Sequence, residues 1–146
     1  MSRLFRLGAV LRARQAQEDA AKGEVVRVRR AARHAASLAS QRETTLNETD
    51  VPAVGVARAV VAALAARQTL AAELSMARQL VAEAEQETAE RINDLAEKAK
   101  NRRAVEKLVE RHAVEEQRLA RAADQRVLDE LAATGPQRAA MQETVS

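Results

Sequence analysis

Apolar residues in the first third of the chain recur in steps of three and four. Leu4, Leu7 and Leu11 open the series, and Ala21, Val25, Val28, Ala32, Ala35, Ala39 and Leu46 continue it, with Arg14, Glu18 and Arg42 as interruptions. The same step returns at Val56, Val60, Ala63, Leu70, Leu74, Ala77, Val81 and Ala84. Such spacing lays an apolar stripe along one side of a helix, where a second helix can cover it. Between Thr88 and Ile92 the step is lost. It resumes with Ile92, Leu95, Ala99, Val105 and Leu108, and later with Leu119, Ala123, Val127 and Leu131. This predicts a register slip with a local change of supercoil.

Helix breakers set the limits of these stripes. Pro52 and Gly55 lie together after Asn47, Glu48, Thr49 and Asp50, and Gly135–Pro136 form a second break. The pattern predicts a first helix over 3–48, a turn over 49–55, a second helix over 56–134 and a flexible tail over 135–146, all in one domain spanning 1–146. Asp50 can cap the second helix with Pro52 in its first turn, or that helix can start just after Gly55. Gly8 and Gly23 fall inside the first helix, surrounded by helix formers.

A short connection makes consecutive helices antiparallel neighbours. A turn near residues 52–54 would place residue i opposite roughly residue 106 − i, so that Arg3 falls near Arg103. The expected fold is therefore all-α: an antiparallel two-helix coiled-coil hairpin whose longer second helix overhangs at its C-terminal end. That overhang would run for about 30 residues, ~45 Å. It carries Val105, Leu108, Val109, Leu119, Val127, Leu128 and Leu131, which need a cover in water. Another protein, or the overhang of a second copy, would supply it.

Composition supports this reading. Alanine is about a quarter of the 146 residues, Gly and Pro number four and two, and Phe5 is the sole aromatic. An ordinary globular core draws on aromatics, whereas Ala, Glu, Arg, Leu and Gln mark long helix. The absence of Cys excludes a disulfide frame and fits a reducing cytoplasm. The longest apolar run, 59–66, lies between Arg58 and Arg67, far short of the ~20 residues of a membrane span. With no apolar signal stretch at the N-terminus, a cytoplasmic chain without membrane insertion is expected.

No catalytic arrangement emerges. The glycines are isolated, so no phosphate loop forms. His34 and His112 fall on different helices, and no Cys is present to complete a metal site. The acids Glu83, Glu85, Glu87, Glu90, Asp94 and Glu97 spread around their helix as a solvated face. Neither an enzyme nor a cofactor or metal is expected. Charge is more telling: residues 1–42 carry a net +7, residues 83–97 a net −5 and residues 98–111 a net +4. Such blocks suit docking with large partners, and equally solvation with i,i+4 pairing. Arg27, Arg29, Arg30 and Arg33 cover several faces with no aromatic for base stacking, which argues against a nucleic-acid partner.

Two stretches resemble the flagellar export protein FliJ family. Phe5-Arg6-Leu7, Val10-Leu11, Arg14 and the run 17–21 are similar to that family's opening, and Glu106-Lys107-Leu108-Val109-Glu110-Arg111, with Asp124-Gln125 and the run 128–132, is similar to its later blocks. The resemblance implies a cytoplasmic component of the flagellar type III export apparatus, peripheral at the inner face of the cell membrane. It implies a stalk-like regulator of the export ATPase hexamer that also contacts the cytoplasmic region of the export-gate membrane protein and the export chaperones. Carried over residue by residue, it assigns Glu106, Lys107, Leu108, Arg111, Asp129, Glu130, Phe5, Leu7 and Leu11 to the ATPase ring. For the gate only Leu70 matches, and the family's aromatic position there is Ala. Competing expectations are a generic structural coiled coil or a secretion-system stalk counterpart, and, further off, a basic amphipathic protein that binds membrane or nucleic acid.

Overall fold

The computed structural model describes the backbone of residues 3–143, and all of their side chains except those of residues 4, 136–138, 142 and 143. Two helices account for nearly all of it: α1 over Arg3–Glu48 and α2 over Ala57–Glu143. They pack together, with no strand among the described residues. Contacts group the chain into two units, one formed by residues 15–101 and the other by the start of α1, up to residue 14, with α2 from residue 102 onward.

In the unit of residues 15–101 the helices are antiparallel. Glu18, Ala21, Val25, Val28 and Ala39 of α1 and Leu74 of α2 are buried, and Val28 retains only 1% of its surface. Ala32, Ala35 and Leu46 are half-buried on the same stripe, facing half-buried Val60, Ala63, Leu70, Ala77, Val81 and Ala84. Alanine lets the helices approach closely while burying little apolar area, at roughly 25 cal/mol per Å². Polar residues occupy seam positions too. Glu18 is 7% exposed, and a salt bridge from Lys22 one turn on reaches its carboxylate at 3.6 Å.

The expected slip in α2 does not occur. Half-buried positions continue as Ala84, Thr88, Arg91, Leu95 and Lys98, an unbroken three-four alternation, while Ile92 is exposed. Thr88 satisfies its hydroxyl inside this seam by donating to the Ala84 carbonyl at 2.8 Å, and Arg and Lys can lay their methylenes there while their charges reach water. Apolar residues alone therefore did not mark the stripe.

Ion pairs flank the seam on its exposed edges: Arg27 with Glu87, Arg42 with Glu73 and Arg78 with Glu43, each at 3.2 Å. The Arg27–Glu87 pair thus sets the acidic stretch 83–97 alongside the basic middle of α1. Pairing of 27 with 87 and of 42 with 73 puts residue i opposite about residue 115 − i, not 106 − i as a tight turn would. The reason lies in the connection. Arg67 donates to the Thr49 carbonyl at 2.8 Å, so the end of α1 is level with Arg67, ten residues beyond the start of α2. Residues 49–56 therefore return alongside the first turns of α2, with Thr49 and Val51 half-buried. The helix begins after Gly55, where the Val56 carbonyl accepts from Ala59 and Val60 at 2.8 and 3.2 Å, and Pro52 lies outside it.

The second unit is more thinly covered. Leu7, Leu11 and Arg14 of α1 are half-buried, as are Arg102, Val105, Glu106, Val109, His112 and Ala113 of α2. Val105 and Val109, expected to be bare, are partly covered. From Val114 to Gly135 every side chain except Ala122 is exposed, so the overhang begins near residue 114. α2 also runs past its expected end at Thr134 to Glu143, through Gly135–Pro136, in place of the expected tail. A proline disfavours helix at the preceding residue partly through a clash with its Cβ, which Gly135 lacks.

Candidate functional site

The chemistry-bearing residues come first. Among the described residues no group of three or more His, Cys, Asp or Glu could hold a metal ion. His34 is exposed and His112 half-buried. No helix of the described residues is long and apolar enough to cross a membrane. What the molecule offers is surface.

All the residues expected to meet an ATPase ring fall in the unit built from the start of α1 and the later part of α2. Phe5 is 60% exposed, with Leu7 and Leu11 half-buried on the seam beside it in sequence. On α2, Lys107, Leu108 and Arg111 are exposed. Glu106 is half-buried and accepts from Arg102 one turn earlier at 2.7 Å, which ties it into the helix surface. Asp129 and Glu130 are exposed, and Asp129 accepts from Gln125 at 2.9 Å. Around them Leu119, Val127, Leu128 and Leu131 are each more than half exposed. These leucines and valines leave apolar surface exposed along the helix, as interaction sites do.

This stretch is stiffened locally. Arg118 donates to both oxygens of Glu115, at 2.6 and 3.0 Å. The hydrogen bond and the charge of Arg118 hold the Glu115 carboxyl below its ordinary range and raise the Arg118 guanidinium. In the other unit Arg27 donates through two of its nitrogens to one oxygen of Glu24, at 3.1 and 3.0 Å, and also reaches Glu87. There the Glu24 carboxyl is lowered, first by its hydrogen bond with Arg27.

Leu70, expected at the export gate, is half-buried on the seam and presents little surface. A feature that the sequence reading passed over lies close by. Along one edge of the hairpin a groove of about 540 Å³ opens between the helices. Small Ala31, Ala35 and Ala77 leave the room, Leu38, Met76 and Leu80 border it, and the Arg42–Glu73 ion pair belongs to its lining. Met76 and Leu80 are 67% and 56% exposed. The available signal was their size and four-residue spacing away from the seam stripe.

Comparison with protein families gives a match to the family described as Flagellar FliJ protein, over residues 2–140. Neither a curated protein nor a solved structure matches the chain. The match covers nearly the whole chain, including α1, the connection and α2 almost to its end, and it agrees with an all-helical hairpin. The chain belongs to the flagellar FliJ protein family, whose members are components of the flagellar protein-export apparatus.

Proposed function

We propose that this protein is a stalk-like regulator of the flagellar export ATPase hexamer and links that ring to the export gate and to export chaperones. It works without catalysis of its own, in the cytoplasm, at the periphery of the inner membrane. The observation that carries the reading is the exposed stretch of α2 from Val114 onward, a single helix with Leu119, Val127, Leu128 and Leu131 uncovered. A lone amphipathic helix gains stability only when a partner covers it. A ring with an apolar-lined centre is such a partner, with Asp129, Glu130, Lys107 and Arg111 supplying polar contacts at the rim and Phe5 at the base. Burying four such side chains supplies several kcal/mol of gross stabilisation, at roughly 1.5–3 kcal/mol each.

The gate contact is better served by the groove edge than by Leu70. Met76 and Leu80 offer apolar surface to a partner, whereas using Leu70 would require opening the seam.

The test uses the cognate export ATPase. The full chain is expected to co-purify with it and to raise its ATPase activity or hexamer yield. Truncation after Ala113 should abolish both, while circular dichroism still shows a helical hairpin. An ATPase indifferent to the full chain would reject the stalk reading. If the overhang instead drives formation of a stable dimer, a structural scaffold becomes the better account.

A further inference from the structure

We infer that two copies of this chain associate through the groove edge of the unit formed by residues 15–101, as a two-fold dimer whose axis runs along the helices. On that edge α1 presents Arg27, Ala31, His34 and Leu38, in steps of four, three and four, with Arg30 at the outer margin. α2 presents Met76, Leu80, Glu83, Glu87 and Glu90, again in alternating steps of four and three. Such spacing puts each set on a single side of its helix. The edge therefore carries an exposed apolar patch of Leu38, Met76 and Leu80, flanked by a basic stretch on α1 and an acidic stretch on α2.

The register of the hairpin selects the occupant. Within one copy residue i of α1 stands level with about residue 115 − i of α2, as the pairs 27–87 and 42–73 show. A half-turn about an axis along the rod keeps every residue at its own level. It lays α1 of each copy over α2 of the other, antiparallel, so the same correspondence holds between the copies. Leu38 of one copy then falls level with Ala77 of the other and meets Met76 and Leu80, and by symmetry this contact occurs twice. Arg30 falls level with residue 85, between Glu83 and Glu87 of the other copy. Arg27 comes level with Glu87 and Glu90. Arg30 and Glu83 are both exposed, and among the described residues neither forms an ion pair within its own copy. A second copy thus sets apolar against apolar and base against acid. The result is a four-helix bundle in which each helix has two antiparallel neighbours. The shared face is about 50 Å long and about 20 Å wide. It can cover on the order of 1,000 Å² per copy, against the ~800 Å² of a standard interface. The dimer covers Met76 and Leu80, the surface proposed above for the export gate. It is therefore a closed form from which the gate displaces the second copy, a consequence that rests on the gate reading, whereas the dimer itself does not.

Sedimentation equilibrium of the full chain tests this. The expected mass is twice the 15.9 kDa of one chain at high concentration, falling toward one chain on dilution and with rising salt. Met76→Glu with Leu80→Glu should weaken the dimer by about a hundredfold or more, because the new charges would be buried without partners. Arg30→Glu alone and Glu83→Arg alone should each weaken it about tenfold. An equimolar mixture of these two variants should regain the parental affinity. In the mixed dimer each position 30 again faces a residue 83 of opposite sign, and no contact within one copy can produce that rescue. Leu128→Glu with Leu131→Glu, in the other unit, should leave the dimer intact. Circular dichroism of each variant checks that helicity is unchanged. A single-chain mass at every concentration, or a dimer that survives Met76→Glu with Leu80→Glu, would overturn the inference. So would a dimer lost through Leu128→Glu with Leu131→Glu, or a mixture of the charge variants that fails to associate. No ATPase and no gate protein enters the assay, so its outcome is separate from that of the stalk and gate readings.

Discussion

Single residues explain why this hairpin is held together despite so little bulk. Among the described residues only Val28 is almost wholly enclosed, and Glu18 sits among the buried seam positions with Lys22 beside its carboxylate. Arg91 and Lys98 occupy seam positions that an apolar count assigns to the surface. Long basic side chains can do this because their stems are apolar and their heads reach water. That chemistry is why the seam of α2 was only partly legible: Leu74, Ala77, Val81 and Ala84 announce it, and Thr88, Arg91 and Lys98 conceal its continuation. At the same scale the Glu115–Arg118 fork has a consequence for pH. Its carboxyl lies below the ordinary glutamate value in the folded chain, first through the hydrogen bond from Arg118. A carboxylate lowered in this way adds stability above its unfolded pKa and loses it as pH falls through the folded value. A side-chain carboxyl titration by NMR is expected to show Glu115 titrating below that value, and Arg118→Gln should return it to normal.

At the scale of elements, the breakers Pro52 and Gly55 divided the chain correctly into α1 and α2, and the scarcity of glycine foretold their length. Two features escaped. The connection is not a tight turn, because Arg67 holds the Thr49 carbonyl ten residues beyond the start of α2. α2 crosses Gly135–Pro136, which composition marked as a stop. The Arg67 contact also has an electrostatic logic: α1 has no basic residue in its last turn, and a cation from the opposite helix meets its C-terminal carbonyls. Gly23 is a different matter. It lies in the interior of α1, and a Cβ built there meets nothing within 4 Å. Glycine in such a place costs the helix roughly 0.5–1 kcal/mol relative to alanine. Gly23→Ala is expected to stabilise the protein by about that amount, read as a raised urea midpoint with an unchanged slope.

For the whole molecule, the two units differ in how their helices are covered. All the buried side chains among the described residues, Glu18, Ala21, Val25, Val28, Ala39 and Leu74, belong to residues 15–101. The unit that holds the candidate ring contacts has none. Native-state hydrogen exchange is expected to follow this division: amides of residues 18–39 and 70–84 should be protected the longest, and those of 114–135 should exchange fastest. Slow exchange throughout 114–135 in the isolated protein would show that something already covers that helix. The candidate site was legible in part because the opening run at Phe5–Leu11 and the block at Glu106–Arg111 stand out in the sequence. The groove was not, because it arises from alanines on two helices that only the true register brings side by side.

That register also leaves the connection with room to spare. The start of α2 lies about ten helical residues, or roughly 15 Å, beyond the level where α1 ends, and eight residues can stretch to about 26 Å. Helix pairing is therefore set by the seam and its flanking ion pairs and not by the length of the link. An affinity tag or a fluorophore spliced in beside Val54, which is 92% exposed, would lengthen a slack tether without sliding one helix against the other, a practical foothold for labelling the protein while it works.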